Sequence, residues 1–384
     1  MIHRALLLDP RVDQATRTRR ARALELAEAA LSAVEPEAAT ARVLAGRTDL
    51  SGCTVLAFGK AAVPMARAAL ACCAPRGGIV LTLQEPGLDL GPLRVRQGAH
   101  PIPAADAAQH GAEVLALAQG LGASDVVLCL VSGGGSALLE LPRPGIDIEQ
   151  IRQLTASMLR SGAPIAELNA ARSALSALKA GGLARALLPA RVVNVVLSDV
   201  PGEPLSLVAS GPTVLDDPRV QTLAAADNQT AVQGVLAAAA ERGMLVEPLG
   251  RLLEGEARTV GRTLMEAAAE ALARDPRIDG FVGGGETTVT VRGRGRGGRN
   301  GELVLGAASC LGEHLILSLA TDGADGTSGS AGAMLDAALL AGGGGAVDQA
   351  LADNDSASWL ARAGALLSTG LTGTNVADVV IVLR

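Results

Sequence analysis

The stretch DVVLCLVSGGGSALL, residues 125–139, decides the fold class. An apolar run, Val126–Val131, enters Ser132-Gly133-Gly134-Gly135-Ser136, and Ala137-Leu138-Leu139 then opens a helix. The reading is strand, glycine turn, helix. The pattern recurs. Val192–Leu197 runs into Ser198-Asp199-Val200, Gly280–Val282 into GGGETT (283–288), and Leu315–Ala320 into TDGADGT (321–327). In open α/β sheets, ligands bind outside the carboxyl ends of the strands. Glycine there lets backbone N–H groups approach an anion, and a following helix adds its positive end. Several such loops point to a large anionic ligand, hence to an enzyme acting on a phosphorylated substrate or cofactor.

Working outward, strands are expected at Cys53–Phe58, Gly78–Leu83, Asp125–Val131 and Val192–Leu197. Helices are expected at Ala61–Cys73, Ala105–Gly120, Ile148–Arg160, Pro164–Lys179 and Leu223–Arg242. Alternation on this scale implies βαβ units and a mainly parallel sheet. Gly243–Glu256 reads as a domain junction, after which helix Ala257–Arg274 restarts the cycle and Ala377–Leu383 closes it as a strand.

Composition narrows the function. A chain of 384 residues exceeds what one core usually holds, so two domains are expected. One Trp, two Phe and no Tyr leave little for base stacking, and a net charge of −6 with interspersed signs forms no nucleic-acid or membrane patch. No run reaches the ~20 apolar residues of a bilayer span. Ala5–Leu8 is too short for a secretion signal, and the five cysteines lack metal-ligand pairing. A cytoplasmic protein with reduced thiols is expected.

Several residues carry possible chemistry. Lys60, in Phe58-Gly59-Lys60, stands where a strand turns into a helix and can place a point charge on a phosphate, although the Walker spacing is absent. Ser132–Ser136 reads as an anion nest or as a capped turn. Asn169, Arg172, Ser176 and Lys179 are spaced 3, 4 and 3, so one helix face would carry them. Asp199, Asp322 and Asp325 end or follow strands, where magnesium ligands and turn-forming aspartates both occur. Glu286 is a further acid near these loops. His100 opens a loop and is read as structural, with substrate binding as the alternative.

The segments FGKAA (58–62), HPIP (100–103), SGGGSALL (132–139), SGAPIAELNAARSALSALKAGGLA (161–184), LSDVPGEPLSLVASGPTVLDD (197–217), GGGETTVTVRGRGRGGRNGE (283–302), TDGADGTSG (321–329) and TGLTGTNVADVVIVL (369–383) together resemble the class II glycerate kinases, whose C-terminal part carries the MOFRL motif. The resemblance implies an α/β protein of two domains. Residues 1–245 would form a Rossmann-like domain with a mainly parallel sheet, and residues 246–384 a smaller MOFRL-type α/β domain, with the site in the cleft between them. It implies an ATP- and Mg²⁺-dependent kinase that phosphorylates D-glycerate, usually to 2-phosphoglycerate. Lys60, Arg299 and Asp322 would be catalytic. Ser132, Gly133, Gly134, Gly135, Ser136 and Lys179 would bind phosphate or nucleotide. Asn169, Arg172 and Asn300 would bind substrate, and Asp199 and Asp322 the metal. Leu371, where proline is commoner, and Ala180, which interrupts a Lys-Gly-Gly run, depart from the family pattern. A homodimer is left open as the assembly. Two other readings compete: a hydroxypyruvate reductase, disfavoured by the missing Gly-x-Gly-x-x-Gly spacing, and a nucleotide- or sugar-phosphate-binding regulator.

Overall fold

Apolar residues on both faces drive strands into the middle of a layered α/β sheet. A computed structural model describes residues 2, 12–83, 87–162 and 165–384, with only the backbone of residues 165 and 166. His3, the Ala5–Leu8 run and Pro164 lie outside the described residues.

The chain begins with α1 (Gln14–Ala33). The unit Pro36–Ala226 then holds β1 (Thr54–Phe58), β2 (Gly77–Thr82), β3 (Leu93–Gln97), β4 (Val126–Ser132), β5 (Arg191–Leu197) and β6 (Val220–Ala226). Its helices are α2 (Pro36–Leu44), α3 (Ala62–Cys73), α4 (Ala107–Gln119), α5 (Gly135–Leu138), α6 (Ile148–Arg160), α7 (Ile165–Leu175) and α8 (Gly182–Leu187). The strand order is β3-β2-β1-β4-β5-β6 and every pair is parallel. This is the doubly wound order, as the alternating strand and helix pattern requires. Leu56, Phe58, Val127, Cys129, Val131, Val192 and Val196 are buried in one cluster. Each large apolar side chain there contributes about 1.5–3 kcal/mol.

The second unit joins the described residues up to Glu35 to Asp227–Arg384. Its helices are α1, α9 (Asn228–Glu241), α10 (Ala257–Arg274), α11 (Arg299–Gly306), α12 (Ala337–Gly342), α13 (Val347–Ala352) and α14 (Ser356–Arg362). Its strands are β7 (Val246–Pro248), β8 (Leu253–Glu256), β9 (Gly280–Thr288), β10 (Leu315–Ala320), β11 (Gly332–Leu335), β12 (Leu366–Leu367) and β13 (Asp378–Leu383). The sheet order is β12-β11-β10-β13-β9-β7, with β8 also on β9. β13 lies antiparallel between β9 and β10, whereas β7 and β8 run parallel to β9.

This division differs from the expected 1–245 and 246–384. Buried Arg20 of α1 pairs with Asp336 at 2.6 and 2.8 Å, and Thr374 Oγ1 donates to the Val34 carbonyl at 2.8 Å. Those bonds attach the N-terminal helix to the C-terminal sheet. α9 belongs there too, because Asn228 donates to the carbonyls of Val376 and Asp378 at 2.8 and 2.9 Å.

Three elements depart from expectation. Leu223–Ala226 belongs to strand β6, not to a helix. The helix starts after Asp227, whose carboxylate accepts from Thr230 N–H at 2.8 Å while Thr230 Oγ1 accepts from Asp227 N–H at 3.2 Å. Gly283–Thr288, expected as a loop, continues strand β9. Glycine is needed there because a Cβ on Gly284 would collide with the Asn228 side chain. The helix expected to reach Lys179 ends at Leu175. Ser176 bridges Pro142, and Ala177 N–H donates to the Leu141 carbonyl at 2.8 Å. No helix among the described residues is long and apolar enough to cross a membrane.

Candidate functional site

The order β3-β2-β1-β4-β5-β6 reverses direction between β1 and β4. Their carboxyl ends are therefore the topological switch point, where doubly wound sheets bind ligands. β1 delivers Lys60 there, and β4 delivers Ser132–Ser136. Lys60 N–H donates to the Gly133 carbonyl at 2.9 Å, and Ala61 N–H to Ser132 Oγ at 3.0 Å. These bonds fix one loop on the other. Gly134 adopts φ 80, left-handed, and a Cβ there would press on Lys60 Cγ at 3.1 Å and His100 Cδ2 at 3.2 Å. A Cβ on Gly133 would collide with the Asp199 carboxylate. So Lys60, His100 and Asp199 all border the glycine turn.

The cations here are poised for an anion. Lys60 is exposed, and its ammonium has no ion-pair or hydrogen-bond partner among the described residues. Arg172, on α7, is 4% exposed; its Nη2 donates to the Ser136 carbonyl at 3.0 Å, and its buried Nε has no partner. Burial pushes the Arg172 pKa down, and Glu140 pulls against it. Gly134 N–H also has no acceptor among the described residues. An unsatisfied buried donor costs about 1–3 kcal/mol. A phosphate or carboxylate would satisfy Arg172 Nε. His100 is held down at about 4 by desolvation first, then by the charges of Lys60 and Arg172, so it stays neutral.

Lys179 is placed elsewhere. Its ammonium is 1% exposed, 2.7 Å from Glu140 Oε2 and 3.1 Å from the Leu139 carbonyl. Burial lowers it to about 8 against the pull of Glu140. It braces the chain after α5, buried on Glu140, rather than standing exposed as its expected phosphate role would have it. The early end of α7 is the cause. Asn169 stays with the cluster: Ser210 donates to its Oδ1 at 3.2 Å, and Ser136 Oγ lies 2.8 Å from Ser210 Oγ.

The second unit gathers the other expected residues. Arg299 opens α11 and is held on two sides, by Asp378 at 2.5 and 2.9 Å and by Glu286 at 2.6 Å. Burial alone would lower its pKa, but these carboxylates hold it above the usual arginine value. A cavity of about 730 Å³ lies beside it, with Glu286, Thr288, Val291, Thr327 and Asn354 in its walls. Asn300 is 1% exposed and engaged throughout: its N–H donates to Asp325 at 3.0 Å, and its Oδ1 accepts from Ser318. Its polar groups are thus bonded within this unit, where a role in substrate contact was expected. Asp325 also accepts from Gly301 N–H at 2.9 Å and so anchors the start of α11. Asp322 is half-buried, and its Oδ1 accepts from Ala324 N–H at 3.0 Å as a turn former.

Among the described residues, no three His, Cys, Asp or Glu side chains gather as an all-protein metal cage. Magnesium in phosphoryl-transfer sites needs only one or two carboxylates besides waters and substrate phosphates. Asp199 beside the glycine turn and half-buried Asp322 fit that requirement as single donors. Sequence reasoning missed three participants. Ser210 sits in an ordinary Ser-Gly-Pro turn, Glu140 carries no local signal, and Asp378 reads only as the first residue of a strand.

Residues 22–243 match a family model described as a domain of unknown function, DUF4147, and residues 280–378 match the MOFRL family. A D-glycerate 2-kinase of Thermotoga maritima is 36% identical, with 94% of this chain and 97% of that protein covered. A putative hydroxypyruvate reductase of Agrobacterium vitis is 34% identical, covering 93% and 92%. A crystal structure of a glycerate kinase from Thermotoga maritima superposes with a TM-score of 0.87 at 33% identity, covering 94% of this chain and 98% of that one.

Proposed function

Because the chain belongs to the glycerate kinase family with DUF4147 and MOFRL regions, we propose that it transfers the terminal phosphoryl group of ATP, with Mg²⁺, to D-glycerate, giving 2-phosphoglycerate. The observation that carries the reading is the switch-point cluster: a Lys60 ammonium without a partner among the described residues, Arg172 Nε buried without one, and the left-handed Gly134 turn beside Lys60. Donors lacking acceptors near a glycine turn suit the anionic groups of a ligand. Phosphoryl transfer asks mainly for positioning and charge neutralisation. Lys60, exposed on its long stem, suits charge that builds during transfer. Arg172, fixed by the Ser136 carbonyl, suits binding and orientation. Neutral His100 packs beside them without adding positive charge. In the second unit, Arg299 is held by Asp378 and Glu286 and is the group fit to meet a phosphate there. Asp199 in one unit or Asp322 in the other would hold the magnesium, which would supply charge neutralisation of phosphate oxygens.

The reductase name borne by two relatives from Agrobacterium vitis finds no support in the β1–α3 turn. Gly59-Lys60-Ala61 lacks the glycine spacing that admits a dinucleotide pyrophosphate. The deciding experiment incubates the protein with ATP, Mg²⁺ and D-glycerate and identifies the product by phosphorus NMR. A 2-phosphoglycerate resonance with ADP supports the proposal. No phosphorylated product, or NADH oxidation with hydroxypyruvate, refutes it.

A further inference from the structure

Ser136, Ser210 and Asn169 form a hydrogen-bonded chain whose direction follows from counting protons. The Ser210 hydroxyl donates to Asn169 Oδ1 at 3.2 Å. A serine hydroxyl has one hydrogen. In the 2.8 Å contact between the two hydroxyls, Ser136 is therefore the donor. Both ends of the chain acquire a fixed polarity. Ser136 Oγ has no proton left and offers only lone pairs to a ligand. Asn169 has its carbonyl oxygen engaged, so its NH₂ group offers two donors.

The backbone holds this arrangement in place. Ala209, Ser210 and Gly211 have φ of 54, 64 and 56, three left-handed residues in succession. Ala180 N–H donates to the Ser210 carbonyl at 3.0 Å, and Gly181 N–H to the Gly211 carbonyl at 2.8 Å. Two adjacent non-glycine residues kept in that region are the kind of strain that collects at ligand sites. Asn169 and Arg172 are three apart on α7 and share a face.

Building on the kinase reading, we infer that this chain of bonds reads the two functional groups of a hydroxy acid separately. The lone pairs of Ser136 accept a substrate hydroxyl. The Asn169 amide and Arg172 donate to its carboxylate. Ser210 is the positioning residue that sets both polarities. Phosphate recognition then falls to Lys60 and the Gly133–Gly135 backbone, and the phosphate-donor role expected of the Ser136 side chain is withdrawn.

Calorimetric titration of the full chain with D-glycerate, propionate and inorganic phosphate tests this, with a melting curve for each variant. Ser136→Ala is expected to lower the preference for D-glycerate over propionate roughly five- to tenfold, the effect of one lost hydrogen bond, and to leave phosphate affinity unchanged. Ser210→Ala and Ser210→Gly are expected to lower the same preference. The glycine variant relieves the left-handed backbone, so equal losses in both trace the effect to the hydroxyl. Weakened phosphate binding with an unchanged preference in Ser136→Ala would mean that the chain runs the other way, and would overturn the inference. So would an unchanged preference in folded Ser210→Gly. If the parental protein binds D-glycerate without forming ADP, the kinase reading fails while this one stands. If it forms ADP and the variants keep the preference, this one fails alone. A parental protein that binds no D-glycerate overturns both.

Discussion

Lys179 and Glu140 form an ion pair 2.7 Å long that is sealed from solvent on both sides, with side-chain exposures of 1% and 0%. Removing one partner of such a pair leaves an uncompensated buried charge, at a cost of about 3–5 kcal/mol. Lys179→Ala is therefore expected to lower stability by that order in urea unfolding. Replacing both partners by Lys179→Met with Glu140→Leu should recover most of the loss, since an apolar pair of similar volume needs no desolvation. A Lys179→Ala variant that melts with the parental protein but loses ATP affinity would restore the nucleotide role to Lys179.

Lys60 and Arg299 should behave differently from each other. Lys60 is exposed and its ammonium has no partner among the described residues, so Lys60→Ala removes charge from the site without leaving one stranded. Its kcat is expected to fall ~10²–10³-fold with an unchanged melting temperature. Arg299 neutralises buried Asp378. Arg299→Ala should lose activity and also several degrees of melting temperature. Near-parental turnover in either variant would remove that residue from the mechanism. An unchanged melting temperature for Arg299→Ala would show that Asp378 tolerates isolation.

His100 supplies a pH signature. In the folded protein its pKa is pushed down to about 4 from the ordinary histidine value of about 6.5, through desolvation and then the charges of Lys60 and Arg172. Between those values the unfolded chain binds more protons, so the His100 contribution lowers stability as pH falls from 6.5 toward 4. Deleting a neighbouring cation must raise the folded value. Proton NMR of the imidazole C2–H is expected to show His100 neutral at pH 6 in the parental protein and titrating at higher pH in Lys60→Ala. Identical titration curves would separate His100 from Lys60.

The parallel sheet is legible in the sequence because β1, β4 and β5 are buried almost throughout and so read as unbroken apolar runs. β3 is not. It is an edge strand whose Arg94 and Arg96 pair with Glu113 at 2.8 and 2.9 Å, so it carries no apolar signature. β6 merges with α9 because alanine has no preferred face in either period; only Asp227 marks the boundary. Lys60 and Ser132–Ser136 are legible because strand-end position is a local property. Lys179 misleads because the 3-4-3 spacing spells a helical face, whereas a tertiary bridge from Pro142 to Ser176 ends the helix first. Ser210 is invisible locally, since its partners lie 74 and 41 residues away.

Asp322 separates a metal role from a turn role. It follows β10 and is half-buried, with Gly323 left-handed at φ 86 beside it. Its Oδ1 accepts from Ala324 N–H at 3.0 Å, a bond that an asparagine side-chain oxygen makes equally well. Asp322→Asn therefore keeps the turn and removes one negative charge. Stability should hardly change, because the carboxylate has no ion-pair partner among the described residues whose loss would strand a charge. Magnesium is a hard cation and prefers a charged carboxylate to a neutral amide. If Asp322 holds the ion, the variant should need several-fold more Mg²⁺ for half-maximal rate and reach a lower kcat. If Asp322 only shapes the turn, rate against Mg²⁺ concentration will overlay the parental curve. The same titration on Asp199→Asn tests that residue in turn: a shifted curve for one variant alone assigns the metal to that residue.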